Sequence, residues 1–222
     1  MAFKAWRNIF NRASTGDSPE ERVTLVGPRI PRHSTGWSAM LKYLRDEESL
    51  RVLDIGPTSS SSINFLTGLG HSVCMADILT EANRSDWQNP ASEDDVSIEA
   101  DAETFLNQHL DFNGRLFDVV LLWTTLDYLP EALLAPIVRR LYASLKPGGR
   151  ILAFFHTKTT GAATAFYRYH LTDGDVVEMQ EAERHPVRQV HTNRKIEKLF
   201  SDYEGCKFFL AKDNVYEVIV TR

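Results

Sequence analysis

The stretch Arg51–Ser62, which reads RVLDIGPTSSSS, decides the fold of this chain. Its first five residues are mostly apolar and predict a short buried strand, and Gly56 with Pro57 predicts a tight turn. The serines, together with the apolar Ile63 and Leu66 that follow, predict a helix. A strand that passes through a glycine turn straight into a helix is typical of nucleotide-binding α/β proteins. The stretch therefore predicts a cofactor-binding loop.

The same alternation of short apolar strands and helical patterns continues along the chain. Strands separated by helices imply right-handed crossovers and a parallel sheet that is covered on both faces. The predicted fold class is therefore α/β, with a doubly wound, mostly parallel seven-stranded sheet and a C-terminal antiparallel hairpin. The other predicted elements are strands at Ser72–Ala76, Val96–Ala100, Phe117–Trp123 and Arg150–Phe155, a helix at Ala102–Leu110, and the hairpin strands at Lys207–Leu210 and Tyr216–Thr221.

The chain of 222 residues is long enough for one domain with a full-sized core. No segment has the composition of a linker, so residues 1–222 are interpreted as a single domain. Two parts lie outside the regular alternation. Residues 1–36 form an N-terminal extension, and residues 156–194, which are rich in Thr, Tyr, His and charge, form a lid or substrate-facing insertion.

Composition and charge narrow the class of protein. The net charge of -5 argues against a nucleic-acid partner, which requires a basic face. No apolar run approaches the roughly 18 residues that span a bilayer. Cys74 and Cys206 are too few for a disulfide framework, and the seven histidines lack metal-binding spacing. We therefore expect a cytoplasmic protein without a structural metal.

The segment 3–12 carries basic and apolar side chains in a weakly amphipathic pattern. Such a pattern is typical either of a segment that contacts a membrane or a partner, or of an ordinary packed N-terminal helix. Both interpretations stay open at this level, as does the oligomeric state.

The loop after the first strand indicates the kind of cofactor. Ligands of open α/β sheets bind at the carboxyl ends of the strands, where the strand order reverses. Thr58 and Ser60 stand where a dinucleotide site has its second and third glycines, and Pro57 has no amide proton. A pyrophosphate needs several bare amides, so this loop favours a cofactor with a carboxylate and no phosphate. Asp77 follows Gly56 by 21 residues, at a strand end, where it can accept hydrogen bonds from ribose hydroxyls.

Several segments together resemble the successive signatures of class I S-adenosylmethionine-dependent methyltransferases: Val52–Gly56, Asp77, Asp101–Ala102, Phe117–Trp123 and Leu145–Leu152. The resemblance implies an enzyme that uses S-adenosylmethionine and releases S-adenosylhomocysteine. It also implies a set of cofactor-binding residues. They are Gly56, Thr58 and Ser60 near the methionine part, with Asp54 and Pro57 in the same loop, Asp77 on the ribose, Ile78 against adenine, Asp101 and Ala102 at the amino edge of adenine, and Trp123 and Thr124 beside the methyl group.

Methyl transfer is an in-line displacement, so alignment and the exclusion of water supply much of the catalysis. If the acceptor must lose a proton, Asp127, Tyr128 and His156 follow the fourth and fifth strands, where a general base would reach it. Each of them has an alternative role. Asp127 is also placed to cap the next helix, Tyr128 to pack over that helix, and His156 to end a strand as a hydrogen-bonded polar residue.

The expected acceptor is a small molecule. The segment Trp123–Leu126, which reads WTTL, does not resemble the Asn-Pro-Pro-aromatic loop of methyltransferases that act on exocyclic amines of nucleic-acid bases. Two alternative functions stay open. One is a non-catalytic cofactor-binding or scaffold relative of the fold, and the other is a nicotinamide-dependent oxidoreductase, against which the missing glycines argue.

Overall fold

A computed structural model describes residues 27–84, 95–158, 164–210 and 213–222. The expected contact segment 3–12 and most of the expected extension 1–36 lie outside these residues. The elements in chain order are β1 (Ile30–His33), α1 (Thr35–Asp46), β2 (Arg51–Ile55), α2 (Ser60–Gly68), β3 (Ser72–Ala76), α3 (Leu79–Arg84), α4 (Asp95–His109), β4 (Phe117–Trp123), a 3-10 turn (Thr125–Tyr128), α5 (Glu131–Ser144), β5 (Leu145–His156), β6 (Thr164–Leu171), β7 (Val176–His185), α6 (Asn193–Leu199), β8 (Gly205–Phe209) and β9 (Val215–Thr221).

The main sheet has the strand order β3-β2-β4-β5-β9-β8. The pairs β2–β3, β2–β4 and β4–β5 are parallel, whereas β9 runs antiparallel to both of its neighbours, β5 and β8. The architecture is therefore the expected α/β fold with a mostly parallel sheet. In the described part of the chain this sheet has six strands, and not the seven that the sequence pattern predicts.

The difference lies in the predicted strand Val96–Ala100, which is wrong because these residues belong to α4. The sequence Asp95–Asp101 is rich in carboxylates, which are favourable near the N-terminus of a helix. Farther along, Ala102, Phe105 and Leu106 follow at helical spacing and are buried in the core. One continuous helix therefore replaces the expected strand and helix, and β3 ends the main sheet on that side in the described residues.

The hydrophobic core lies on both faces of the sheet, and the central strand β4 is therefore buried along its whole length. On one face, β4 packs Val120 and Leu122 against side chains of α4 and α5. On the other face, Val119 and Leu121 pack against side chains of α1 and α2. This two-sided burial explains why β4 is apolar throughout and does not alternate. No helix among the described residues is long and apolar enough to cross a membrane.

A second, three-stranded sheet with the order β1-β7-β6 covers the end of the main sheet where β2 leads into α2. Ser62 of α2 joins this cover to the main fold: its buried hydroxyl donates to the carbonyl of Tyr169 at 3.1 Å and accepts the amide of Leu171 at 3.1 Å. The segment 156–194, which we expect to form a lid, thus contains two paired strands, β6 and β7.

A buried ion pair also connects the second sheet to the main sheet, between β1 and β9. Arg32 of β1 forms hydrogen-bonded ion pairs with Glu217 of β9 and with Asp213, the latter at 2.6 Å. Glu217 is fully buried and also accepts the amide of Gly36 at 2.6 Å. The Arg32 guanidinium lies 4.9 Å from the centre of the Phe154 ring. The position of β1 is therefore determined by charge as well as by strand pairing.

Replacing Arg32 by Met should destabilise the fold by about 3 to 5 kcal/mol, because it leaves the carboxylate of Glu217 buried without its cation. Urea unfolding measures the loss. Arg29→Met, which removes an exposed ion pair with Glu178 in the same sheet, is the matched control and should cost less than about 1 kcal/mol. Equal losses in the two variants would contradict this role for Arg32.

Candidate active site

The loop after β2 has a backbone conformation that requires glycine. Gly56 has a φ of +139°, and its amide donates to the carbonyl of Ala76, the last residue of β3, at 2.8 Å. A side chain at this position would be strained by that backbone angle. Trp123 at the end of β4 and Thr125 in the 3-10 turn after it lie within 4 Å of the position a Cβ would take. The loop thus brings three strand ends together around a bare stretch of backbone.

The serine run after this loop is a helix start. Ser59 is the N-cap of α2, and its hydroxyl accepts the amide of Ser62 at 3.0 Å. The predicted cofactor residues Thr58 and Ser60 lie on either side of it, half-buried and exposed respectively. The carbonyl of Pro57 accepts a hydrogen bond from Arg168 of β6 at 3.0 Å. The loop therefore faces the second sheet.

Asp54 is a buried acid directly below the loop. Its Oδ1 accepts the indole N–H of Trp123 at 2.8 Å, and burial raises the pKa of this carboxyl to about 6. Trp123 itself has a φ of +48°, which is strained for an aromatic residue. It is held in place by stacking on Tyr169 of β6, with ring centres 4.4 Å apart. Strand β6 thus supplies one wall of the site.

The residues assigned to the nucleoside part of the cofactor differ in exposure. Asp77 is exposed after β3, where its Oδ1 accepts the amide of Leu79 at 3.2 Å. Ile78 and Ala102 are buried in the hydrophobic core. Asp101 lies exposed inside α4. The expectation that it follows a strand is wrong, because the strand is replaced by the helix.

The three candidates for proton transfer lie together. Asp127, in the 3-10 turn after β4, accepts two hydrogen bonds at Oδ2 from His156 at the end of β5: one from the backbone amide at 2.6 Å and one from Nδ1 at 2.7 Å. The ring of Tyr128 packs edge-on against the His156 ring at 5.7 Å. Asp127 is fully buried, and burial raises its pKa to about 6.

Tyr128 differs from Asp127 and His156 because its hydroxyl already has a backbone hydrogen-bond partner. It donates to the carbonyl of Ala165 in β6 at 2.9 Å, and burial raises the pKa of this phenol strongly. Its ring also packs against Phe166, at 5.0 Å between ring centres. These contacts favour the packing role for Tyr128. Asp127 and His156 remain as the candidate dyad for proton transfer.

His191 is a functional candidate that sequence reasoning missed. Its Nε2 lies 3.8 Å from Oδ1 of Asp127, and the ring is buried. It reaches the site because the amides of Arg188 and Gln189 donate to the carbonyl of Asp127, at 2.9 and 3.3 Å. His191 comes from an irregular segment before α6 and belongs to no motif or hydrophobic period, so only the tertiary fold identifies it.

The chemistry of the dyad follows from its hydrogen bonds. A carboxylate can only accept, so the proton of a neutral His156 ring lies on Nδ1, and Nε2 carries the lone pair. A histidine held this way by an acid is the usual arrangement of a general base. Thr125, two residues before Asp127, donates to the carbonyl of Ile55 at 3.1 Å, which ties the dyad to the end of β2.

A mostly parallel α/β sheet with a glycine turn after one strand and an exposed acid after the next is typical of doubly wound proteins that bind nucleoside cofactors. The chain belongs to the family of methyltransferase domains, whose model, described as "Methyltransferase domain", matches residues 30–204. It is accordingly an S-adenosylmethionine-dependent methyltransferase of class I. Among curated proteins, no sequence matches the chain.

Solved structures with similar folds include a methyltransferase from Methanosarcina mazei, which is 13% identical with a TM-score of 0.47, over 82% of this chain and 96% of that one. Another is 1,6-didemethyltoxoflavin-N1-methyltransferase from Burkholderia thailandensis with bound 1,6-didemethyltoxoflavin and S-adenosylhomocysteine. It is 18% identical with a TM-score of 0.41, over 84% of this chain and 76% of that one. The family assignment rests on the sequence match, which spans most of the chain.

Burial of Asp54 should make stability depend on pH. Because burial raises its pKa from 3.8 to about 6, its stabilising contribution is complete below pH 3.8 and is lost as the pH rises through about 6. Asp54→Asn, which can still accept the Trp123 N–H, should remove a pH-dependent loss of about 3 kcal/mol. Urea unfolding of both proteins from pH about 4 to about 7 measures it. Parallel pH profiles would contradict a raised pKa.

Proposed function

We propose that this protein transfers the methyl group of S-adenosylmethionine to a small molecule that carries an ionisable O–H or N–H group, and that His156 accepts the proton. The observation that carries the proposal is the buried pair of Asp127 and His156, joined to the Gly56 loop through Thr125. The pair is suited to remove a proton as the acceptor is methylated. An acceptor that is already an anion would not require it.

The residues around the loop fit the cofactor. Gly56 offers backbone without a side chain, and the exposed carboxylate of Asp77 is suited to the two ribose hydroxyls. Trp123 and Phe166 bring aromatic rings within 4 Å of the position a Cβ on Gly56 would take, and aromatic rings attract cations such as a sulfonium. The bound cofactor would supply an electrophilic methyl group. The protein would supply alignment and the proton acceptor.

The second sheet has a catalytic role in this proposal. Strand β6, within the segment predicted to form a lid, acts as a cover because it lies against the Gly56 loop through Phe166 and Arg168. A closed cover excludes water, which strengthens the electrostatic interactions beneath it. It also limits the size of the acceptor, and the net charge of -5 argues against a nucleic acid. These features support a small-molecule acceptor and, with two free cysteines, a cytoplasmic enzyme.

Isothermal titration with S-adenosylmethionine and S-adenosylhomocysteine tests the cofactor site. Asp77→Ala should weaken binding of both by roughly tenfold or more, because it removes hydrogen bonds from the ribose to a charged acceptor. Asp46→Ala, which removes an exposed carboxylate at the end of α1, is the matched control and should bind normally.

Unchanged affinity in Asp77→Ala would refute the ribose assignment. No binding of either compound to the folded wild-type protein would favour the scaffold alternative. A thermal shift with NADH in place of both would favour the oxidoreductase.

Transfer of a tritiated methyl group from S-adenosylmethionine into a cell extract tests the acceptor class and the dyad together. We expect label in the metabolite fraction, and a loss of roughly a hundredfold or more in His156→Gln, which lacks the basic ring nitrogen. His33→Gln, at an exposed histidine of β1, should keep its activity. Label that appears in protein or RNA would refute a small-molecule acceptor, and full activity in His156→Gln would refute its role as base.

A further inference from the structure

One side of the Asp127 carboxylate is unpaired within the described residues. Oδ2 accepts both hydrogen bonds from His156, whereas Oδ1 is buried and has no hydrogen-bond partner there. Nε2 of His191 is likewise buried and has no partner in the same part of the chain. The two atoms lie 3.8 Å apart. A movement of roughly 1 Å would bring them to hydrogen-bond distance.

Two unpaired buried groups that face each other are costly unless they interact. Each buried polar atom without a partner costs about 1 to 3 kcal/mol, and a charged one costs more. His191 is 3% exposed and packs edge-on against the ring of Phe155 at 5.3 Å, so its ring is held in place. The surrounding packing thus keeps Nε2 of His191 directed toward Oδ1 of Asp127.

Charged groups act on His191 from three of the elements around it. Lys195 of α6 and Glu131 of α5 act on it electrostatically with opposite signs, and Asp127 faces it from the 3-10 turn. The ring also lines a groove of about 370 Å³ between α5 and α6, to which Arg139, Lys198 and Asp202 contribute further charges. Burial, followed by Lys195, lowers the pKa of His191, so the neutral ring dominates near neutral pH.

We propose that His191 is a positioning residue for His156 that acts through Asp127, by donating the proton on Nε2 to Oδ1 of the carboxylate. This inference rests on the proposed function, in which His156 accepts the proton of the methyl acceptor. The three side chains then form one chain of hydrogen bonds, His156 to Asp127 to His191. No bond is formed or broken in His191 itself.

The role of this donor is to keep Asp127 ionised. Burial favours the neutral carboxyl, as its raised pKa of about 6 indicates, and a second hydrogen bond opposes that tendency. An ionised Asp127 holds the proton of His156 on Nδ1 and raises the basicity of Nε2. A protonated Asp127 would do neither, so loss of the His191 donor should weaken His156 as a base.

The tautomer of His191 in the wild-type protein provides the first test, by nitrogen-15 NMR of histidine-labelled protein without cofactor. We expect His191 to carry its proton on Nε2 at neutral pH. A proton on Nδ1 and a lone pair on Nε2 would overturn the proposal, because two acceptors would then face each other. This measurement requires neither a variant nor methyl transfer, so it stays readable whether or not the proposed function holds.

A matched pair of variants provides the second test. His191→Gln places an amide N–H₂ near the position of Nε2, whereas His191→Asn places it near Nδ1. The pKa of His156, followed by NMR titration, should stay close to wild type in His191→Gln and fall by about one unit in His191→Asn. His33→Gln controls for the removal of an exposed histidine.

An unchanged pKa of His156 in His191→Asn would overturn the positioning role. So would an equal fall in both variants, because the effect would then not depend on where the donor lies. If the asparagine variant does not fold, the wild-type tautomer and the glutamine variant decide the question. In an active enzyme, the fall in the His156 pKa should shift the acidic limb of the rate profile to lower pH and reduce the maximal rate.

Discussion

The buried ion pair between Arg32 and Glu217 is the interaction on which the shape of the site depends. It connects β1 of the small sheet to β9 of the main sheet, and β1 pairs with β7, which pairs with β6. Buried ion pairs pay a large desolvation cost and are retained in some proteins because they favour one arrangement over others. In this protein, we infer that the pair specifies how the small sheet sits over the strand ends.

Strand β6, which is connected to this ion pair through β7 and β1, forms one wall of the candidate active site. Its residues contact the Gly56 loop, stack on the strained Trp123 and accept the hydroxyl of Tyr128. The groups beneath it, Asp54 and Asp127, are buried acids with raised pKa values. Perturbed acids of this kind cluster at functional sites because catalysis needs groups poised near the working pH. The cover and the buried acids beneath it are therefore parts of one arrangement.

The sequence predicts those parts of the fold that depend on local pattern. Strands β2 and β4 match their predicted bounds, because an apolar run between turn signals is sufficient evidence for a buried strand. The prediction of a strand at Val96–Ala100 is wrong because a short apolar pattern fits a strand or a helix, and these residues belong to the longer helix α4.

The small sheet and His191 depend on tertiary contacts that no local pattern encodes. The residues of β6 and β7 mix aromatic, polar and charged side chains, because one face covers a site and the other meets solvent. The ring of His191 lies 3.8 Å from the carboxylate of Asp127, across a separation of 64 residues, and no pattern in the neighbouring sequence indicates this contact. A crystal structure of the protein with S-adenosylhomocysteine tests the cofactor site and the dyad together. We expect the ribose on Asp77, the methionine part along the Gly56 loop and the sulfur facing His156. A ligand bound elsewhere, with β6 still against an empty loop, would refute this site.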